Sequence, residues 1–210
     1  MSSFVLHAIW AQAANRAMGR EGTMPWHVSE DLRFFRQCTT GSAVVMGRKT
    51  WESFPEAFRP LPNRFNIVIS RSISAPVERD GALWVGSLEQ ALEGAATPEK
   101  FDVGAPCQAI SEDDDTAQNI WLIGGAQLFE QALHRTDLPV VRSGAVEQIL
   151  RTTFDVAVED ADVFAPIIDE QSFAAVETIR SFVSEQGWIS PRAGEKNSPV
   201  RCVIERLIRS

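Results

Sequence analysis

Strand-like and helix-like segments alternate along the first two thirds of the chain, and no other feature of the sequence constrains the fold as strongly. Apolar and period-two runs predict five strands, at about 3–12, 43–47, 65–70, 82–85 and 119–124. Amphipathic segments between them predict four helices, at 29–38, 49–55, 87–95 and 126–134. This order is typical of an α/β fold with a doubly wound, mostly parallel sheet that carries helices on both faces.

The last third of the chain has strand-like segments alone. The segments VEQILRTTFDV, SFAAVETIRSF and PVRCVIERLI predict antiparallel strands that complete the sheet. Three polar stretches that contain Gly or Pro, at about 97–118, 135–145 and 184–198, predict surface insertions. With 210 residues, we expect one domain over residues 1–210.

Charge and cysteine usage exclude several classes of function. The net charge of −8 argues against binding to nucleic acids or anionic membranes, because both select a basic surface. No apolar run approaches the length of a membrane span, and the start of the chain lacks a signal-peptide pattern. The three cysteines lack metal-ligand spacing and the acidic run SEDDDT lacks a histidine, so we expect no metal site and a reducing, cytoplasmic location. We also expect a monomer.

A glycine-marked corner lies where the second predicted strand meets a short helix. In VVMGRKTWES (44–53), Gly47 is followed by Arg48, Lys49 and Thr50. Backbone N–H groups, a hydroxyl and two cations therefore meet at one helix N-terminus. This combination predicts an anion site.

Two further corners have the same character. In IWLIGGAQLFE (120–130), Gly124 and Gly125 allow a ligand to approach the backbone before the next helix begins. In NIVISRS (66–72), Ser70 and Arg71 follow a strand. Neither glycine corner has the spacing of a Rossmann or P-loop fingerprint. A single corner is most simply a tight turn, whereas three together predict a site for a multiply phosphorylated ligand.

Asp31 occupies a position where a carboxylate is costly. In MPWHVSEDLRFF (24–35), Val28, Leu32 and Phe35 have the spacing of one apolar helical face, and Asp31 lies beside Leu32 on that face. A carboxylate that loses its hydration needs a partner or a ligand. Two interpretations remain open from the residues alone, namely a helix cap or dipole partner and a ligand-binding carboxylate.

Four motifs together resemble the dihydrofolate reductase family: MPWHVSEDLRFFRQ, VVMGRKTWESF, RPLPNRFNIVISR and LIGGAQLFE, in this order. The resemblance covers nearly the whole chain apart from the three insertions. It implies an eight-stranded sheet, NADPH as cofactor and the binding of antifolate-type molecules. It also implies reduction of 7,8-dihydrofolate to 5,6,7,8-tetrahydrofolate, by hydride transfer to pterin C6 with protonation at N5.

The resemblance implies specific roles in substrate binding. Asp31 matches the pterin-pocket carboxylate, which binds the 2-amino group and N3 and whose pKa an apolar site should raise. Trp26 resembles the tryptophan that orders a water beside the pterin. Thr152 matches the threonine that shares a water with the carboxylate, although Thr153 would take this place if the strand register differed by one residue. The other implied substrate residues are Leu32, Phe35 and Phe54 at the apolar walls, Ile123 near the nicotinamide, and Arg64 at the glutamate tail, with Arg59 a weaker candidate for that arginine.

The resemblance also implies a set of cofactor contacts. The implied contacts are Ala11 and Met18 for the nicotinamide; Thr50, Gly125, Ala126 and Gln127 for the pyrophosphate; and Arg48, Ser70 and Arg71, with Lys49 as a secondary candidate, for the 2′-phosphate. Gly19, Gly47, Gly124 and Leu128 are further implied cofactor contacts. The segment MGREGTMPW (18–26) corresponds to a mobile loop that closes over both ligands. The chain departs from the family in having Phe129 in place of a tyrosine and both Asp160 and Asp162 at the loop partner, of which we favour Asp162.

Three other interpretations compete with this one. A related pyrimidine reductase of riboflavin synthesis would also use NADPH, but the combination of Asp31 and Arg64 favours a pterin with a glutamate tail. A non-catalytic nucleotide-binding protein would not need Asp31. An inactive paralogue would be expected to lose at least one site residue, and none is missing.

Overall fold

The computed structural model describes residues 4–101, 118–189 and 199–210. Its strands are β1 Phe4–Ala13, β2 Ala17–Gly19, β3 Trp26–His27, β4 Ala43–Gly47, β5 Phe65–Ile69, β6 Val77–Arg79, β7 Ala82–Val85, β8 Gln118–Leu122, β9 Val141–Phe154, β10 Val163–Phe164, β11 Ala175–Ser184, β12 Trp188–Ile189 and β13 Val200–Ile208. Its α-helices are α1 Ser29–Thr39, α2 Arg48–Ser53, α3 Leu88–Ala95 and α4 Ala126–Leu133. Short 3₁₀ turns lie at Glu56–Phe58 and Pro98–Lys100.

Nine strands form one mixed sheet, in the order β11-β13-β9-β1-β8-β4-β5-β7-β6. The pairs β1–β8, β8–β4, β4–β5 and β5–β7 are parallel, whereas β6–β7, β9–β13 and β11–β13 are antiparallel. The predicted α/β fold with antiparallel C-terminal strands is confirmed. The implied count of eight strands is one too low, because the short, solvent-exposed edge strand β6 adds a ninth.

The contacts of the chain define two compact units. The first unit contains residues 1–8 and 39–147. It includes β4 to β8 and α2 to α4, and its buried side chains include Met46, Phe65, Leu83, Trp84 and Phe129. Because β8, β4 and β5 are parallel neighbours, their carboxyl ends meet at one edge of the sheet.

The second unit contains residues 9–38 and 148–210. It includes most of α1 and the C-terminal strands β11 and β13, and Trp26, Val28, Phe154, Val200 and Cys202 belong to one of its buried clusters. Two small antiparallel pairs, β10 with β2 and β12 with β3, lie in this unit. The single domain over residues 1–210 stays a prediction.

The structure gives a different outcome for each of the three predicted insertions. Residues 135–145 are not simply an insertion, because Leu138 and Val141 are buried and β9 already begins at Val141. The polar RSG sequence at 142–144 hid this early start. Part of the segment 184–198 is also structured, since β12 pairs with β3; residues 190–198, and 102–117 of the first insertion, lie outside the described residues. No helix in the described ranges is long and apolar enough to cross a membrane.

Candidate active site

Asp31 lies in the first turn of α1 in a poorly hydrated place. The helix begins at Ser29, so Asp31 is inside the helix and does not occupy the position of an N-cap. Burial raises the pKa of its carboxyl to about 6, and a hydrogen bond from Thr152 partly opposes this rise. The expected upward shift is confirmed. The carboxylate is therefore an acidic group with a pKa close to physiological pH.

The strand register places Thr152 rather than Thr153 beside Asp31. Thr152 pairs with Ile204 on β13 and is buried, whereas Thr153 pairs with Val203 and is half-buried. Neighbouring residues of a strand point to opposite faces of the sheet. Only Thr152 is therefore directed toward the carboxylate.

Trp26 is anchored from two sides in the same unit. Its ring packs edge-on against Phe154 at a centroid distance of 5.1 Å, and its backbone pairs with Ile189 of β12. The next residue, His27, stacks on Trp188 at 6.3 Å. The short β12 ladder thus holds the segment that leads into α1.

The apolar face of α1 is only partly buried. Val28, just before the helix, is buried and Phe35 is half-buried, but Leu32 is 40% exposed. The apolar face that the spacing predicts is therefore not buried at Leu32 within the helix. An exposed leucine beside a desolvated carboxylate suits a wall that an apolar ligand would cover.

The loop at 18–26 makes a different contact with each of its two candidate partners. Asp162 donates its backbone N–H to the Gly19 carbonyl and accepts from the Glu21 backbone N–H through Oδ2, both at 3.1 Å. Asp160 instead forms a side-chain ion pair with Arg20 at 3.1 Å. Asp162 is therefore the residue that binds the loop backbone. Of the predicted nicotinamide contacts, Ala11 and Met18 are half-buried and Gly19 is buried.

The two glycine corners meet in the first unit. The Gly47 N–H donates to the Gly124 carbonyl at 2.7 Å, and Ile123 N–H donates to Val45. The peptide between Gly124 and Gly125 is cis, and Gly124 has a φ of +116°. A Cβ at Gly125 would lie 3.3 Å from Oγ1 of Thr50, so a side chain there would fill the space over that hydroxyl.

Helix α4 begins directly after the second corner. Ala126, Gln127 and Leu128 form its first turn, and Leu128 donates its N–H to the Gly125 carbonyl at 2.9 Å. Phe129 is fully buried, and its ring lies 3.6 Å from where a Gly124 Cβ would be. Phe129 therefore supports the glycine corner by packing.

The predicted phosphate-binding cations are exposed. Arg48 pairs with Glu52 one turn later at 2.8 Å, whereas Lys49 and Arg71 form no ion pair within the described ranges. Ser70 is buried at the end of β5 and shares a 2.9 Å hydrogen bond with Ser72. An exposed pair such as Arg48–Glu52 contributes little stability and exchanges easily.

Arg64 is oriented by a residue that the sequence did not reveal. It is buried, its Nη1 donates to Oγ1 of Thr39 at 3.0 Å, and its Nε donates to the Pro62 carbonyl at 3.2 Å. Arg59 instead pairs with Glu56 at 3.5 Å and covers the Trp51 ring. No local signal marks Thr39, because it contacts Arg64 across 25 residues. Phe54, the last predicted wall residue, is half-buried at the end of α2.

In the part of the chain that the structure describes, no group of three or more His, Cys, Asp or Glu side chains could hold a metal ion.

Comparisons with known proteins point to one family. The family model described as dihydrofolate reductase matches residues 5–188. The dihydrofolate reductase of Mycobacterium leprae is 39% identical over 166 residues, which cover 79% of this chain and 83% of the relative. That of Neisseria gonorrhoeae is 38% identical over 180 residues, covering 85% and 90%. A solved dihydrofolate reductase from Enterococcus faecalis, complexed with NADP(H) and RAB-propyl, aligns with a TM-score of 0.63 and 26% identity over 100% of this chain and 99% of its own.

Proposed function

The chain belongs to the dihydrofolate reductase family, and we propose that it reduces 7,8-dihydrofolate to 5,6,7,8-tetrahydrofolate with NADPH. The observation that carries this proposal is the desolvated carboxylate of Asp31 with Thr152 beside it. A pterin presents a 2-amino group and an N3–H, which together donate two charge-assisted hydrogen bonds to one carboxylate. The comparisons do not favour the alternative of a pyrimidine reductase.

Asp31 acts through its charge. With a pKa of about 6, it is mostly ionised at neutral pH, and its negative charge in a poorly hydrated site favours protonation of the pterin at N5. The proton comes from water. Thr152 and Trp26 orient the carboxylate and the water next to the pterin, since both are buried and held by neighbouring strands.

The glycine corners fit a pyrophosphate. Gly47 and Gly125 leave open the space that a Cβ would occupy, and Thr50 supplies a hydroxyl at its edge. The backbone of Gly124, Ala126, Gln127 and Leu128 completes this set in the proposal. When bound, NADPH supplies the hydride that C6 of the pterin accepts.

The exposed cations support NADPH over NADH. We assign Arg48, Lys49, Ser70 and Arg71 to the 2′-phosphate, because a doubly charged group is best met by guanidinium and hydroxyl donors. Arg48 must exchange Glu52 for the phosphate, at little cost for an exposed pair.

The substrate's remaining parts have matching partners within each unit. Arg64, oriented by Thr39 and Pro62, binds the α-carboxylate of the glutamate tail as a planar donor. We assign four apolar side chains to substrate contacts, Leu32 and Phe35 of the second unit and Phe54 and Ile123 of the first unit. These residues would also bind antifolates that resemble the substrate.

The loop at 18–26 excludes water during the reaction. Asp162 holds its backbone at Gly19 and Glu21, and closure brings Ala11, Met18 and Gly19 to the nicotinamide.

The enzyme acts as a monomer in a reducing cytoplasm. Free thiols at Cys38 and Cys202 support this location.

The proposed activity is tested directly by following NADPH oxidation optically. The purified protein should oxidise NADPH only when dihydrofolate is present, and Asp31→Asn should lose most of this activity while still binding NADPH. A protein that binds NADPH but shows no dihydrofolate-dependent oxidation would overturn the proposal. The same assay with an aminated pyrimidine ribitol substrate tests the alternative reductase.

A further inference from the structure

A pocket of about 610 Å³ lies in the second unit, among residues that have no part in the proposed reaction. It is lined by Gln12, Arg16, Arg151 and Leu207 and by several residues between 166 and 176. A volume of this size is typical of sites for small molecules.

Two polar side chains at this pocket have N–H groups without a hydrogen-bond partner among the described residues. Gln12 is only 6% exposed, and its carbonyl oxygen accepts a hydrogen bond from the Trp10 indole at 2.9 Å, so the amide nitrogen has no partner among the described residues. Arg16 donates Nη1 to the Ala165 carbonyl at 2.9 Å but forms no ion pair in those residues. An amide nitrogen with two uncommitted N–H donors at the pocket can donate to a ligand that enters it.

Arg151 adds a second, largely neutralised cation. Its Nε and Nη2 both donate to the same oxygen of Glu205, at 3.1 and 2.7 Å. Its Nη1 has no partner among the described residues. The remaining charged lining group, Glu170, is exposed and carries the opposite sign.

Part of the pocket lining is apolar and exposed. Ile167 is 73% exposed and Val176 is 55% exposed, although both line the concave surface. Local hydrogen bonds hold the segment that follows Ile167, because Asp169 accepts from the backbone of Gln171 and the hydroxyl of Ser172. Exposed apolar side chains on a concave wall indicate a surface that an apolar ligand group could cover.

We propose that this pocket is a second binding site, for a small monocarboxylate that carries an apolar group. The carboxylate accepts hydrogen bonds from the Gln12 amide and the Arg16 guanidinium, both of which suit a planar acceptor. The apolar group covers Ile167 and Val176. Glu170 disfavours ligands with a second negative charge, and an inorganic anion would leave the apolar wall uncovered.

The test uses the full-length, ¹⁵N-labelled protein and 3-phenylpropionate as the probe. NADPH and a saturating antifolate occupy the proposed active site, so that the probe cannot report binding there. We expect chemical-shift changes at the Gln12 side-chain amide and the Ala165 and Ile167 backbone amides. The neutral analogue 3-phenylpropanamide should bind about tenfold more weakly, as expected for the loss of a charged hydrogen bond.

Variants separate this site from general anion binding. Arg16→Gln should weaken binding of 3-phenylpropionate about tenfold. Ile167→Ser, at an exposed position that folding does not require, should weaken it as well. Arg206→Gln is the matched control, because Arg206 pairs with Glu177 and does not line the pocket. Absence of shifts at the three reporters, equal binding of the amide, or unchanged binding in both pocket variants would each overturn the proposal.

Discussion

The hydroxyl of Ser184 donates a hydrogen bond to Oε2 of Glu30 at 2.8 Å, across 154 residues of sequence. Ser184 is the last residue of β11 and is almost completely buried, and Glu30 precedes Asp31 in the first turn of α1. Two adjacent carboxylates therefore have different surroundings, because Glu30 has a donor from the sheet and Asp31 has its desolvated site beside Thr152. The bond ties the end of β11 to the turn that carries Asp31.

Removing this bond should destabilise the protein. Ser184→Ala leaves the Glu30 carboxylate without its donor, so the free energy of unfolding should fall by about 1–3 kcal/mol. Urea titration of the variant and the wild type measures this difference. The matched control is Ser53→Ala, whose hydroxyl donates to the Thr50 carbonyl on the exposed surface and should cost less than about 0.5 kcal/mol. Equal losses in the two variants would contradict a special role for Ser184.

The loop contacts allow a second prediction. Asp162→Ala removes the acceptor for the Glu21 N–H, so the loop should close less often and single-turnover hydride transfer should slow by roughly tenfold. Asp160→Ala breaks only the exposed ion pair with Arg20 and should change the rate by less than about twofold. Stopped-flow measurements on both variants provide the comparison. A larger effect at Asp160 would show that the side-chain pair controls the loop.

The choice between cofactors should depend on Arg71 and Arg48. Arg71→Gln and Arg48→Gln should each weaken NADPH by ten- to a hundredfold, as expected for a contact worth about 1.5–3 kcal/mol, and leave NADH nearly unchanged. Glu52→Gln removes the competitor for Arg48 and should tighten NADPH slightly. Titrations followed by tryptophan fluorescence give the affinities. Equal affinities of the wild type for NADPH and NADH would contradict the assignment.

Local sequence patterns predicted most of the elements because each one carries its own signal. The apolar runs of β4 and β5 and the periodicity of α1 and α4 fall within a residue or two of the predicted bounds. Patterns fail where a partner distant in sequence decides. The early start of β9 at Val141 lies in a polar stretch, and β6 consists of three exposed residues with no apolar pattern.

The candidate site likewise contains residues that the sequence could predict and residues that only the structure reveals. The resemblance placed Asp31 and Thr152 in one pocket, and the structure shows the contact between them. Neither Thr39 beneath Arg64 nor Ser184 on Glu30 could be found in this way, because both are ordinary hydroxyl residues whose importance comes from the packing of distant segments. The Arg48–Glu52 pair is local, and its spacing of four residues is readable from the sequence.

Asp31 should make the stability of the ligand-free protein depend on pH. Its carboxyl has a pKa of about 6 in the folded chain against 3.8 as the ordinary value, so the folded state binds this proton more tightly than the unfolded state. Stability from this group is present below about pH 4 and is lost as the pH rises through 6, by at most about 3 kcal/mol. The side chain of the Asp31→Asn variant cannot titrate. The free energy of unfolding of this variant, relative to that of the wild type, should therefore increase between about pH 4 and pH 7. A difference that stays constant with pH would contradict the raised pKa.

The same substitution separates charge from shape in the reaction. Asp31→Asn keeps the size of the side chain but removes the negative charge, so NADPH binding should survive while the rate of dihydrofolate reduction at neutral pH falls steeply. The loss should shrink toward low pH, because substrate that is already protonated in solution no longer needs the charge. A residue that only stabilised the helix would change the free energy of unfolding without producing this pH dependence. Single-turnover rates of both proteins across the pH range test the mechanism, and a variant that reduces dihydrofolate at the wild-type rate at neutral pH would refute it even though the family assignment would stand.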